Sequence, residues 1–323
     1  MIKRMIALIA AMLILLSFAA CGENGTNENT TEAPSTTSYI REIKTNVAAV
    51  SDVTGFGLTK IKTDRDYAYN VSFYDDVQQV KDLIRNGNAD IAAMSLSDAL
   101  ELYNEGAEIK VIAVNNLAST YVLAKGFEIK DITDLKKHTV YTLENDTVTD
   151  MFVKKTLEDN GIDFESLDIK VMTDLNEIAS AIAEKESYVV MLSGVDAAKL
   201  PADEGRKVFL DMTANWIKQK ESLPVHTVVV ARTDYINSNP DIIAEFRMFN
   251  EVAVNFIVGN AETASLHLAG EGMFDDAESS YKYLTSFSSL GYAENDKMKT
   301  VVSETVDILS EGELPADDFY YTD

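Results

Sequence analysis

The sequence predicts an α/β protein of two lobes, each a mixed, mainly parallel sheet flanked by helices. Three observations carry that expectation. From Ile40 onward, short apolar runs alternate with segments of helical periodicity, the pattern of strands joined by crossover helices. That alternation occurs twice, and the halves share a weak internal similarity. Asp90-Ile-Ala-Ala-Met-Ser-Leu-Ser-Asp-Ala99 stands beside Ser187-Tyr-Val-Val-Met-Leu-Ser-Gly-Val-Asp-Ala197, each a strand ending at a serine that opens a helix. Finally, the part expected to fold, roughly 285 residues, is long enough that most such chains divide into two lobes.

Taken in order, strands are expected at 45–50, 69–73, 90–94, 109–114 and 120–124. Val77, Val80, Leu83 and Ile84 share one face of a helix over 76–86, and Gly87 supplies its stop. A second set follows, with strands at 138–143, 168–172, 187–192 and 207–211 and helices at 147–160 and 174–184. The apolar run 227–231 is a buried strand placed where the chain returns to the first lobe. Pro240 suits a first helical turn, and Ile242, Phe246, Phe249, Ala253, Phe256 and Ile257 then recur at helical spacing. The remainder, 261–323, reads as helical and polar-faced. The expected organisation is therefore a discontinuous first lobe, 39–123 with 226–323, and a second lobe, 124–225.

Ahead of this, Lys3 and Arg4 precede an apolar run from Met5 to Leu16 and then Ser17-Phe18-Ala19-Ala20, immediately before Cys21. The run is shorter than the roughly 20 residues of a membrane span, so residues 1–20 read as a cleaved signal peptide. Cys21 is the only cysteine, which excludes a disulfide within the chain. Its position resembles the lipobox of bacterial lipoproteins, with Phe18 departing from the usual Leu or Val. That resemblance implies lipidation at Cys21. Residues 22–38 hold no large apolar side chain and read as a flexible tether. The expected location is extracytoplasmic, anchored to the cell membrane by lipid.

Removing residues 1–20 takes away two basic residues and no acid, leaving 26 Lys and Arg against 53 Asp and Glu, a formal charge of −27. Such a surface excludes nucleic acid as a partner, and it disfavours flat adhesion to acidic headgroups.

Several segments together resemble the substrate-binding proteins of ABC importers related to the nitrate, aliphatic-sulfonate, taurine and thiamine-precursor receptors. They are Ile84-Arg-Asn-Gly-Asn-Ala-Asp-Ile-Ala92, Asp131-Ile-Thr-Asp-Leu-Lys-Lys137, Ala231 to Pro240, and Asn260-Ala-Glu-Thr-Ala264. The likeness spans most of 40–323. It departs at Lys137-His138, where the family has Gly-Lys, and in the short segment 51–66. The resemblance implies a type II periplasmic-binding-protein-like fold, hinged between its lobes and closing on a small molecule. It also implies an ABC permease with its ATPase as partner, no cofactor, and a monomer.

Candidate ligand-binding residues lie where strands are expected to end. Ser51, Asp52 and Thr54 follow the first strand, although they equally suit a helix N-cap. Ser95 and Ser97 on one lobe face Ser193 and Gly194 at the pseudo-equivalent place on the other. Asn115 and Asn116, then Glu144, Asn145, Asp146 and Thr147, offer polar groups that turn chemistry explains as well. Tyr74 and Trp216, the only tryptophan, are aromatic candidates whose commoner role is core packing. Helix N-termini and hydroxyls suit an oxyanion, whereas Asp52, Glu144 and Asp211 suit a cation, and Arg232 and Lys125 are the few basic groups nearby. The balance favours an uncharged or amine-bearing ligand.

An enzyme is the competing class. His138, His226 and His267 are the only histidines and lack metal-ligand spacing, so each reads as structural. Gly55 and Gly57 lack a third glycine of a dinucleotide loop, since Lys60 stands in its place. Ser279-Ser-Tyr-Lys282 matches S-x-x-K without partner motifs. No catalytic residue and no metal site is assigned. A ligand receptor for a sensor system is the further alternative.

Overall fold

The computed structural model describes residues 44–66, 68–309 and 314–322. The expected signal peptide, Cys21 and the expected tether lie outside the described residues.

The chain begins with β1 (Thr45–Val50), α1 (Thr59–Asp64), β2 (Tyr69–Tyr74), α2 (Val77–Arg85), β3 (Ile91–Ser95), α3 (Leu96–Asn104) and β4 (Ile109–Leu117). After Ala118 and Ser119 come β5 (Thr120–Lys125), β6 (Val140–Leu143), α4 (Thr147–Asp159), β7 (Ile169–Met172), α5 (Leu175–Ile182), β8 (Tyr188–Ser193), α6 (Gly194–Lys199), β9 (Lys207–Asp211) and α7 (Met212–Lys220). The last part holds β10 (Val225–Arg232), α8 (Thr233–Ser238), α9 (Pro240–Gly259), α10 (Ala261–Gly270), α11 (Ala277–Ser286), β11 (Leu290–Ala293) and α12 (Asn295–Leu309). Side-chain caps set many helix starts. Asp76, Ser95, Asp146, Asp174, Ser193, Asp211 and Asp276 each accept a first-turn backbone N–H. Gly87 at φ +75° lets the chain leave α2 in a left-handed turn.

Two sheets result, in the orders β11-β4-β10-β3-β1-β2 and β7-β6-β8-β5-β9. In the first, β2, β1 and β3 run parallel, whereas β10 is antiparallel to β3 and β4. In the second, β7, β6 and β8 run parallel and β5 is antiparallel to β8 and β9. The antiparallel strand beside each parallel trio is the one by which the chain has just crossed over, β5 outward and β10 on return. The internal similarity is thereby explained, because β3–α3 and β8–α6 occupy equivalent places in their sheets.

Three apolar clusters fill the interior. On one face of the first sheet, Val47, Ala49, Ile91, Ala93, Val229 and Ala231 meet Ile243, Phe246 and Ala253 of α9. A second cluster joins Tyr121, Leu123, Val190 and Leu192 to Leu268 of α10, Tyr283 of α11, and Met273, Phe274 and Phe287 beside these helices. The largest is continuous across both sheets. It runs from Leu96 and Leu102 of α3 through Met298, Val302 and Val306 of α12 to Phe152 and Leu157 of α4 and Trp216 of α7. Each large side chain so buried contributes roughly 1.5–3 kcal/mol. Both sheets accordingly belong to one compact unit, Ile40–Asp323.

Most expected strands lie within two residues of their observed positions, and two differences matter. β5 lies whole in the second sheet, so the chain crosses at Ala118 and Ser119 rather than after Leu123. β11 occupies a stretch expected to be helical: Leu-Gly-Tyr-Ala is too short to show a strand period, and its partner β4 is more than a hundred residues away. The C-terminal part is also shared between the sheets, since α10 and α11 pack against the second one.

Candidate functional site

The two crossings bring strand ends together. Thr227, near the start of β10, is registered opposite Ser95 at the end of β3 and opposite Asn116 of β4. Thr120, at the start of β5, is registered opposite Ser193 at the end of β8. The carboxyl ends of β1, β3, β6 and β8 thus meet at the crossings, where parallel sheets place ligands.

A cavity of about 200 Å³ lies there. It is lined by Asp52 and Val53 after β1, by Asn116, Leu117 and Ser119 at the outward crossing, and by His226 at the return. The second sheet supplies Glu144, Asn145, Asp146 and Thr149 after β6, and Ser193 to Asp196 after β8. A larger concavity of about 500 Å³ sits on the second sheet beside α11. Its Lys282 and Arg206 donate to backbone carbonyls at Ala198, Leu200 and Pro201, so these cations close the end of α6.

Short-range geometry accounts for the cavity's polar groups. Asp52 Oδ1 accepts from the Thr54 N–H at 2.8 Å and from its hydroxyl at 2.7 Å. Asp146 caps α4, accepting from the Thr149 N–H at 3.0 Å and the Thr149 hydroxyl at 2.6 Å. Ser193 caps α6: its Oγ accepts from the Asp196 N–H at 3.1 Å and donates to the Asp196 carboxylate at 2.6 Å. His226, 7% exposed, reaches Asp146 through Nε2 at 3.3 Å and Thr227 Oγ1 through Nδ1 at 2.9 Å. This pair ties the start of β10 to the second sheet.

Charge shapes the titration of these groups. Burial alone would lower the His226 pKa, but the bonded Asp146 carboxylate, with Asp52 and Asp98 farther off, raises it instead. Desolvation pushes Asp146 up, yet His226 and Thr149 outweigh it and hold the carboxyl well below its ordinary range. Burial raises Asp196, only partly opposed by the Ser193 hydroxyl and by Lys199.

Of the residues expected to bind ligand, Asp52, Asn116, Glu144, Asn145, Asp146, Ser193 and Gly194 line the cavity. Several others have local duties away from it. Ser51 donates its hydroxyl to the Glu271 carbonyl at 3.3 Å, and Thr54 is spent on Asp52. Ser95 caps α3 and bonds Ser97 at 2.9 Å and the Asp98 carboxylate, so both hydroxyls turn into their own helix start. Thr147 is exposed at the first position of α4, two residues before Thr149 and so on another face of the helix; Thr149 does line the cavity. Tyr74 ends β2 and packs on the core. Trp216 is 3% exposed with its ring 5.5 Å from Phe152, a core position. Of the basic candidates, Lys125 pairs with Asp203 and Arg232 with Asp90 and Asp234, outside the cavity.

Sequence reasoning missed Asp196 as a lining residue, and it read His226 as structural. Ser-x-x-Asp at 193–196 was the available signal, a cap whose acid lies one turn from the strand end. Nothing local marks His226, whose partner is 80 residues away. Among the described residues no group of three or more His, Cys, Asp or Glu has metal-binding geometry. No helix among them is long and apolar enough to cross a membrane.

Residues 69–264 match the model of the family described as NMT1/THI5 like. No curated protein matches the sequence. Among solved structures, the chain superposes on an ABC transporter protein from Parabacteroides distasonis with a TM-score of 0.69 at 16% identity, over 86% of this chain and 98% of that one. The periplasmic aliphatic sulphonate binding protein SsuA from Escherichia coli gives 0.64 at 15% identity, over 83% and 92%. A Candida albicans gene product described as having the generic periplasmic binding protein fold gives 0.52 at 13%, over 86% and 93%. The fold shared with these proteins is the periplasmic-binding-protein fold, with two mixed sheets and flanking helices.

Proposed function

This chain belongs to the NMT1/THI5-like family, and from that premise we propose that it is the extracytoplasmic solute-binding component of an ABC importer. Its role is to capture a small molecule between two lobes and deliver it to a permease with its ATPase. The observation that carries the reading is the cavity at the crossings, lined from both sheets by strand ends and crossing residues. A ligand held there touches groups of both sheets at once, Asn116 and Asp52 on one side, Asn145 and Ser193 on the other. Such a ligand favours the closed arrangement by its differential affinity, and closure is the signal a permease reads. The names of the superposed ABC transporter and sulphonate-binding proteins support the same role.

No group in the cavity is arranged as a nucleophile with a general base. The hydroxyl that His226 bonds belongs to Thr227, which is fully buried and does not line the cavity, and of the two serines in the lining Ser193 is spent on Asp196. Capture without chemistry is the corresponding mechanism, and no cofactor enters it. The proposed attachment is a lipid on Cys21 after cleavage of residues 1–20, with 21–38 as tether. Labelling with a radioactive fatty acid, lost in Cys21→Ser, checks it.

The test of function is a thermal-shift screen of the purified protein against sulfonates, nitrate, pyrimidines, thiamine precursors, amino acids and polyamines. Binding at a hundred times Kd adds about 2.7 kcal/mol of stability. A saturable shift with the compound recovered unchanged, weakened by Asn145→Ala, is expected. Conversion of the compound, or a shift that cavity substitutions leave untouched, refutes the reading.

A further inference from the structure

We propose that the cavity takes a small organic cation, a protonated amine or amidine that also carries a hydrogen-bond acceptor, rather than an anion. This rests on the receptor reading above and names its ligand class.

Charge is the first observation. Asp52, Glu144, Asp146 and Asp196 line the cavity, and no lysine or arginine does. Only Asp146 has a basic partner, His226, at 3.3 Å. Asp52, Glu144 and Asp196 have no ion-pair partner within 4 Å among the described residues. Of the basic groups on neighbouring elements, Lys81 pairs with Glu101 and Asp98 and Arg232 with Asp90, while Lys199 at the end of α6 acts on Asp196 from beyond ion-pair distance.

The second observation concerns the donors an oxyanion needs. Strand ends and helix starts ordinarily offer unsatisfied N–H groups to an anion. Here three of those groups are already taken by the chain's own oxygens. Asp52 accepts the Thr54 N–H, Asp146 accepts the Thr149 N–H and hydroxyl, and Ser193 accepts the Asp196 N–H. Two of these acceptors are themselves carboxylates. An incoming sulfonate or nitrate would displace a fixed negative charge and then sit among the remaining ones.

The third observation is Asn116, 1% exposed and lining the cavity. Its Oδ1 accepts from the Leu117 N–H at 3.0 Å and from the Ser289 hydroxyl at 2.8 Å. The backbone donor settles which end of the amide is oxygen. Nδ2 makes no hydrogen bond of good geometry and neighbours the equally unsatisfied, buried Tyr283 hydroxyl, so a ligand acceptor would compete with that oxygen for the donor. Cavity size adds a limit: about 200 Å³ lies below the roughly 300–1,000 Å³ typical of pockets for drug-sized ligands.

Calorimetric titration of the purified protein tests the assignment. The probes are ethanolamine, putrescine, agmatine, choline and 4-aminopyrimidine, against ethanesulfonate, acetate and nitrate, with taurine as the zwitterion. Each is titrated into the wild type and into Glu144→Gln and Asp196→Asn, with melting temperatures confirming that both variants fold. Saturable binding confined to one or more of the cations, weakened at least tenfold in either variant and weaker as salt rises, is the expected result. An anion that binds saturably and is not weakened by Glu144→Gln overturns the cation assignment and leaves the receptor reading standing. Absence of binding by every cation also overturns it. Cation binding indifferent to both substitutions places the site elsewhere and overturns the cavity reading itself.

Discussion

Asp146 carries two separable loads, and substituting it tests how the cavity is held. Its carboxylate caps α4 through the Thr149 N–H, and it bonds His226 at the start of β10. Asn caps as well as Asp, so Asp146→Asn removes the charge and keeps the cap, whereas Asp146→Ala removes both. The cap accounts for about 1 kcal/mol at any pH. The ion pair adds up to about 1 kcal/mol, an exposed-pair value, because the Asp146 side chain is 45% exposed and solvent screens it. Its pH dependence has a definite sign. The His226 pKa is raised, so its contribution is complete below the ordinary value of about 6.5 and is lost as pH rises through the folded value. The Asp146 pKa is lowered, so its contribution is complete above about 3.9 and is lost as pH falls through the folded value. Pairing is therefore strongest between about pH 4 and 6.5. Urea unfolding at pH 5.5 and 8.5 reads the difference. Asp146→Asn should cost up to about 1 kcal/mol at pH 5.5 and less at 8.5, with Asp146→Ala costing a further 1 kcal/mol or so at both. An equal cost of Asp146→Asn at the two pH values would refute the coupling to His226.

Other substitutions separate packing from binding. A Cβ added at Gly194 would lie 2.5 Å from the Phe287 carbonyl oxygen and 3.0 Å from Ser119 Oγ. Gly194→Ala should thus cost about 1–3 kcal/mol in urea unfolding and disturb ligand affinity, since backbone must move at the cavity rim. Trp216→Ala should lose about 3–5 kcal/mol. Trp216→Phe should keep most of that stability and all of the ligand affinity, and lost affinity in this variant would return Trp216 to the site. Ser95→Ala should cost about 1 kcal/mol through the α3 cap, with affinity unchanged by calorimetry.

Much of the fold was legible because its determinants are local. Apolar runs such as 227–231 and the helical spacing of Phe246, Phe249 and Ala253 announce buried strands and an amphipathic helix whatever lies around them. Ser95 and Ser193 were recognisable as caps for the same reason. The caps were legible and their surroundings were not: both serines turn into their own helix start, bonding the Asp three residues on, and only Ser193 also lines the cavity. The exchange of β5 and β10 between sheets depends on pairings across up to more than a hundred residues, which no window of sequence contains.

The sequence by itself determined the α/β class, the twofold repetition, the acidic balance and the order of the elements, because hydrophobic period and capping chemistry act over a few residues. Tertiary structure alone decided that Asp146 meets His226, that Asp196 and Asn116 share a cavity, and that Trp216 packs on Phe152. These are contacts between segments 60 or more residues apart. Their partners are chosen by the crossing of the chain between two sheets, a property of the assembled fold rather than of any one segment.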